Sequence, residues 1–104
     1  MGELSELFAP ERIAVVGATD REGSVGRAIM ENLVGSFVGE VLPVNPGRDA
    51  VFDRPAYDGV AETEADLAVV VVPPDAAVEA VREAGEAGIR SVVVITAGFG
   101  ETGS

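Results

Sequence analysis

Four short runs of apolar, largely β-branched residues punctuate the chain, each closed by turn-forming residues: Arg12–Val16 (RIAVV), Glu40–Val44 (EVLPV), residues 67–72 (LAVVVV) and residues 91–95 (SVVVI). Their apolarity is continuous rather than alternating, so both faces of each strand need cover, as in a parallel sheet flanked by helices. Between the first two runs, residues 26–34 place Ile29, Met30, Leu33 and Val34 at helical spacing, with Gly35 as the predicted stop. Between the last two, residues 75–87 read as a second helix. Asp75 is its expected N-cap, Gly88 the residue beyond its end, and Val78, Val81 and Ala84 its buried stripe.

This strand–helix–strand alternation predicts an α/β fold. Right-handed crossovers, with a reversal after the first unit, give a Rossmann-like, doubly wound parallel sheet of spatial strand order 2-1-3-4. Pro43 supports that order, because proline cannot donate to a ladder and belongs on an edge strand. Residues 45–66 show little periodicity; a short extra strand is expected near Val51 and Phe52, and a helical turn near residues 57–60. Ahead of the first strand, Leu7 and Phe8 are expected to pack on the sheet. Residues 98–104 (GFGETGS) follow the fourth strand directly, where a doubly wound domain normally continues into another helix. The expectation is one domain, residues 1–104, cut from a longer multidomain protein, or a minimal form whose last edge a partner or a second copy covers.

Composition narrows the chemistry. Seven arginines against eighteen carboxylates give a net charge of −11, and lysine, histidine, cysteine and tryptophan are all absent. That removes Schiff-base and P-loop lysines, phosphohistidine, thiol nucleophiles, thiolate–zinc sites and disulfides. Neither catalytic residues nor a metal site is predicted, and the chain is expected to bind rather than to catalyse. The acidic balance opposes nucleic acid and anionic membranes, both of which need clustered cations. The longest apolar run, residues 67–72, is strand-sized and far short of the roughly 18–20 residues of a membrane span. The acidic start has no signal or transit character, so a cytoplasmic location is expected. The same arginine-only, acidic composition suits a high-salt cytoplasm.

In an open α/β sheet, ligands bind outside the carboxyl ends of the strands, where the strand order reverses. Residues 17–26 (GATDREGSVG), 45–48 (NPGR), 73–74 (PP) and 96–99 (TAGF) converge there. Gly17 permits a sharp turn, and Gly23 and Gly26 permit close approach of backbone to a phosphate and of helix to sheet. The helix N-terminus offers N–H groups and partial positive charge, and Thr19 and Ser24 offer hydroxyls. The spacing G-x5-G-x2-G departs from the dinucleotide fingerprint G-x-G-x2-G, and the Walker A lysine is missing. A tight strand-to-helix turn also needs glycines for the fold alone. At the end of the second strand, Asn45-Pro46-Gly47-Arg48 stands where an NAD site uses an acid for the ribose 2′-hydroxyl. A neutral end followed by arginine favours a phosphorylated ribose, either the 3′-phosphate of coenzyme A or the 2′-phosphate of NADP. Read as bare sequence, Asn-Pro-Gly is equally an ordinary turn with a solvated arginine. Pro73 and Pro74 start a helix and offer an apolar wall to an adenine or a pantetheine; Phe99 either stacks on a ligand or enters the core.

The strings Leu7-Phe8-x-Pro10, 13–19 (IAVVGAT), 24–26 (SVG), 42–46 (LPVNP), 66–70 (DLAVV), Val72-Pro73 and 94–103 (VITAGFGETG) together resemble the N-terminal CoA-binding domain of NDP-forming (ADP-forming) acyl-CoA synthetases. These are relatives of the succinyl-CoA synthetase α subunit, and similar domains occur fused to protein acetyltransferases. The resemblance runs almost end to end. It implies that Gly17, Ala18, Thr19, Ser24, Val25 and Gly26 cradle CoA phosphates. It implies that Arg48, with Asn45 and Pro46, stands beside them where the family often has lysine. It also implies that Val72, Pro73, Ile95 and Thr96 line the channel for the CoA body and pantetheine arm. The family's ligase reaction passes a phosphoryl group through a histidine on a following domain and takes its nucleotide on an ATP-grasp domain. This chain has no histidine, so the resemblance implies CoA recognition here and those partner domains elsewhere, in the same or another chain.

The leading expectation is thus the CoA-binding domain of an ADP-forming acid–CoA ligase. An NADP-binding domain of an oxidoreductase, and an interaction module whose glycines serve only the fold, are the alternatives. At −11, long-range electrostatics oppose encounter with CoA, so affinity is expected to hold or rise as salt screens the charges.

Overall fold

The computed structural model describes residues 11–72 and 74–95. In chain order its elements are β1 (Arg12–Val16), α1 (Val25–Ser36), β2 (Glu40–Val44), β3 (Ala50–Val51), β4 (Arg54–Pro55), a 3-10 turn (Val60–Glu62), β5 (Leu67–Val70), α2 (Pro74–Glu86) and β6 (Ser91–Val94). The four longer strands pair in parallel in the order β2-β1-β5-β6, which is the 2-1-3-4 order expected. Successive strand residues point to opposite faces, and each face carries its own core. Ile13, Val15, Val41 and Val69 pack with Met30 of α1, and with the half-buried Ile29 and Leu33, on one side. Ala14, Leu42, Val44 and Ala68 pack with Val60, Ala84 and Ile89 on the other.

Pro43 sits on the edge strand with its missing donor turned outward. A strand residue's N–H and C=O point to the same edge. The Glu40 N–H donates to the Glu11 carbonyl (2.9 Å) and the Val44 carbonyl accepts from the Gly17 N–H (3.0 Å), so even-numbered residues of β2 face β1. Pro43 therefore faces away, where its carbonyl accepts from the Tyr57 N–H at 2.9 Å and the Asn45 N–H donates to the Tyr57 carbonyl at 2.9 Å. The strand ends lie slightly short of the predicted ones. β5 stops at Val70 and β6 at Val94, although the Val71 and Ile95 N–H groups still donate to the Val16 and Val70 carbonyls (2.8 Å each).

The helix ends and one helix face differ from the sequence reading. α1 starts at Val25, capped by Ser24, whose hydroxyl accepts from the Arg27 N–H at 3.1 Å. It runs through Gly35 to Ser36 instead of stopping at the glycine. The chain leaves at Phe37, whose N–H closes on the Leu33 carbonyl (2.8 Å) and whose ring packs against the α1-side core. α2 begins at Pro74, which puts Asp75 in the first turn rather than at the cap; its charge there still complements the helix N-terminus. At the other end Gly88 adopts φ +83°. Its N–H donates to the Gly85 carbonyl and the Ile89 N–H to the Ala84 carbonyl (3.1 Å each), the paired bonds of a glycine-terminated helix.

The face of α2 turned to the sheet is Ala77, Ala80 and Ala84, so that Ala84 is buried as expected, whereas Val78 is 73% exposed and Val81 37%. Both stripes have helical spacing, so periodicity does not choose between them. The strands beneath present Val70 and Val92, and small helix residues opposite bulky strand residues let the two layers close without voids.

In residues 45–66, the extra strand is Ala50–Val51 rather than Val51–Phe52. It forms a hairpin with Arg54–Pro55, which the sequence reading did not anticipate. Its two-residue turn holds Phe52 and Asp53 at φ +54° and +62°, the positive values a tight hairpin demands. The helical turn lies at Val60–Glu62, later than expected, while Tyr57 bridges to Val44. Leu7, Phe8 and Phe99 lie outside the described residues.

Candidate functional site

Gly17 continues β1 by one residue and then turns, at φ +94°. A side chain there would put its Cβ 2.2 Å from the Val71 carbonyl oxygen and 2.9 Å from Val72 Cγ1. Glycine is required both for the left-handed backbone and for the closeness of β1 to the end of β5. Gly26, in the first turn of α1, is needed for space alone: a Cβ would lie 2.6 Å from the Gly17 carbonyl oxygen and 3.1 Å from Thr19 Cγ2. The helix start is thereby seated directly on the loop that precedes it.

Residues 17–26 are laced by their own hydrogen bonds. The Thr19 hydroxyl oxygen accepts from the Arg21 N–H (3.1 Å), and the Ser24 hydroxyl donates to the Arg21 carbonyl (2.7 Å). Ser24 is thus committed to capping α1. Among the described residues the N–H groups of Val25 and Gly26 find no acceptor, as is general for the first helical positions.

Asn45 fastens the end of β2 to this loop. Its amide nitrogen donates to the Ala18 carbonyl (2.8 Å), its amide oxygen accepts from the Gly47 N–H (2.9 Å), and its carbonyl accepts from the Arg48 N–H (3.1 Å). The resulting turn delivers Arg48 across the loop. Its Nη1 reaches Asp20 Oδ1 at 2.6 Å and its Nη2 lies 3.4 Å from Thr19 Oγ1. Pro46 is exposed at the tip of this turn, and Val72 is half-buried against Gly17.

Gly17, Ala18, Thr19, Ser24, Val25, Gly26, Asn45, Arg48 and Val72 are therefore brought together at the carboxyl ends of β1 and β2. Ile95 follows β6, two strands from β1 and so about 10 Å away across the sheet. Pro73 and Thr96 lie outside the described residues.

Two residues of this region, Asp20 and Arg27, were not picked out from sequence. Asp20 pairs with Arg48. Arg27 donates from Nη1 to the Asp20 carbonyl (2.8 Å), pairs with Glu31, and lies 5.6 Å above the Phe52 ring. Only the Arg27–Glu31 spacing, four residues along a helix, carries a sequence signal. The other contacts join segments with no periodic relation. A cavity of about 310 Å³ lies elsewhere, against the amino half of β2, lined by Gly39–Leu42, Arg54, Pro55 and Tyr57. It shares no residue with the loop, and the glycine approach and convergent polar groups favour the loop as the site. No described helix is long and apolar enough to cross a membrane, and the described residues hold no group of three or more acidic, histidine or cysteine side chains fit for a metal.

A family model described as a CoA binding domain matches residues 11–102. The chain belongs to the CoA binding domain family. The relatives that it matches include much larger ligases. The ADP-forming acetate–CoA ligase of Methanocaldococcus jannaschii is 41% identical over 104 residues, covering 98% of this chain and 15% of that protein. The α subunit of ADP-forming acetate–CoA ligase II from Pyrococcus furiosus is 42% identical over 102 residues, covering 96% of this chain and 22% of its own length. Among solved structures, the apo form of the dinucleotide forming acetyl-coenzyme A synthetase 1 of Ca. Korarchaeum cryptofilum superposes with a TM-score of 0.83 at 39% identity, covering 96% of this chain and 22% of that one. The CoA binding domain thus spans less than a quarter of the length of these relatives. It is related also to the α subunit of succinate–CoA ligase.

Proposed function

We propose that this domain binds coenzyme A at the carboxyl ends of β1 and β2, as the CoA-recognition part of an ADP-forming acid–CoA ligase. The observation that carries the reading is the delivery of Arg48, by the Asn45 turn, onto a glycine loop whose helix leaves the Val25 and Gly26 N–H groups open. The N–H groups and the Thr19 hydroxyl suit the diphosphate, which a helix N-terminus favours. Arg48, at the end of β2, suits the 3′-phosphate of the ribose, since a guanidinium meets phosphate oxygens two at a time. Val72 and Ile95, with Pro73 and Thr96, are the residues we assign to the CoA body and the pantetheine arm.

With no histidine or lysine in the chain, thioester and phosphoryl chemistry falls to other parts of the ligase: a histidine-bearing domain and an ATP-grasp domain, in the same or another chain. The low share of its relatives' length that this domain spans, and the subunit organisation named for one of them, support that division.

Calorimetric titration of the protein with CoA, dephospho-CoA, NADP and NAD, at low and at molar salt, tests the reading. CoA binding with a clear loss for dephospho-CoA, and no steep weakening with salt, is expected. NADP binding without CoA would instead favour an oxidoreductase, and silence with all four would leave the glycines to the fold alone.

A further inference from the structure

We infer that Asp20 sets the phosphate affinity of this site by acting as an internal anion that competes for Arg48; the inference rests on the CoA reading above. The Asp20 carboxylate has one described hydrogen-bond partner, Arg48 Nη1, at 2.6 Å. What Asp20 contributes to the shape of the loop comes from its main chain, whose carbonyl accepts from Arg27 Nη1 at 2.8 Å. The remaining loop bonds run through Thr19, Ser24 and Asn45. The carboxylate is therefore dispensable to the loop and specific to the arginine.

The pair is also built to be exchanged. Its two side chains are 39% and 47% exposed, and a solvated, single-contact ion pair is weak. A phosphate dianion presents three oxygens to the guanidinium fork where the carboxylate engages one nitrogen, so a ligand phosphate displaces Asp20. Displacement does not remove the carboxylate, which stays on the loop next to the incoming dianion. Asp20 thus lowers affinity for a phosphorylated ribose in two ways, by occupying Arg48 and by repelling the ligand. A ligand lacking that phosphate does not contend for Arg48.

Asp20→Asn keeps the size and the main-chain bond and removes the charge. In calorimetric titrations the variant is expected to bind CoA about three- to tenfold more tightly than the unaltered protein, with dephospho-CoA changed less than about twofold. The gain should shrink at molar salt, where the screening length falls to about 3 Å. In an Arg48→Ala background the same substitution should gain less than about twofold, because the contested cation is gone. A purely structural role for Asp20 would give none of these ligand-specific differences. CoA binding that is unchanged or weakened by Asp20→Asn, or an equal gain for both ligands, overturns the inference while leaving the CoA reading intact. No CoA binding by either protein overturns both.

Discussion

The seating of α1 on the glycine loop makes a sharp prediction about two glycines in one helix. Gly35 lies near the end of α1 with open space where a Cβ would project, and Gly26 lies in its first turn with the Gly17 carbonyl oxygen 2.6 Å from that position. Helix propensity alone favours alanine over glycine at either site, by roughly 0.5–1 kcal/mol and less near the ends. Gly35→Ala should therefore be neutral or stabilising by up to about 0.5 kcal/mol. At Gly26 an ordinary carbon–oxygen contact requires about 0.8 Å more room, and the neighbour is main chain, which cannot swing aside. The helix must lift or the loop must deform, and forced overpacking of this kind costs about 1–3 kcal/mol. For a domain of this size that corresponds to a fall in melting temperature of roughly 5–20 °C. Thermal and urea unfolding of the two variants beside the unaltered protein provide the assay, with CoA titration as a second readout, since the lifted helix also misplaces the Val25 and Gly26 N–H groups. A Gly26→Ala protein that melts with Gly35→Ala, at or above the unaltered protein, would refute the argument that the helix rests on the loop.

Other substitutions test the rest of the fold. Met30, fully buried between α1 and the sheet, should lose about 2–5 kcal/mol on truncation to alanine in urea unfolding. Asp53→Gly should stabilise by up to about 1 kcal/mol, because Asp53 is held at φ +62° in the β3–β4 turn with its side chain exposed. Val78→Gln should change stability by less than about 0.5 kcal/mol, whereas Ala80→Leu, directed at the sheet, should cost about 1–3 kcal/mol; melting curves showing the reverse order would mean that α2 presents its valines inward.

The sheet was readable because β1, β2 and β5 are buried on both faces and so appear as unbroken apolar runs, and because Pro43 can occupy only an edge. The inward face of α2 was not readable. In PDAAVEAVREAGE, alanines and valines each trace a helical stripe, and hydrophobicity ranks valine higher. The choice was made by Val70 and Val92 in the two strands that flank α2, a matter of layer distance rather than of polarity. The site divides in the same way. Gly17, Gly26 and Arg48 carry local signals: a strand-to-helix turn, and a cation after a strand end. The contact of Arg48 with Asp20 spans twenty-eight positions and follows only from the turn that Asn45 makes. The hairpin at Phe52 and Asp53 escaped for a further reason: aspartate accepts a left-handed turn but phenylalanine seldom does, and Phe52 is kept there by packing against the α1-side core and under Arg27.

The valines along β6 bear on how the molecule behaves in crowded solution. Val93 and Val94 are 47% and 42% exposed, and among the described residues β6 pairs on one side only, with β5. A bare strand edge flanked by apolar side chains is an invitation to stack against another copy. What holds copies apart at low ionic strength is their shared charge of −11. That barrier shortens with the screening length, from about 10 Å in 0.1 M salt to about 3 Å in 1 M. Salt that eases the approach of a polyanionic ligand therefore also lowers the colloidal barrier, and handling the isolated domain becomes a compromise between filling its site and keeping it dispersed.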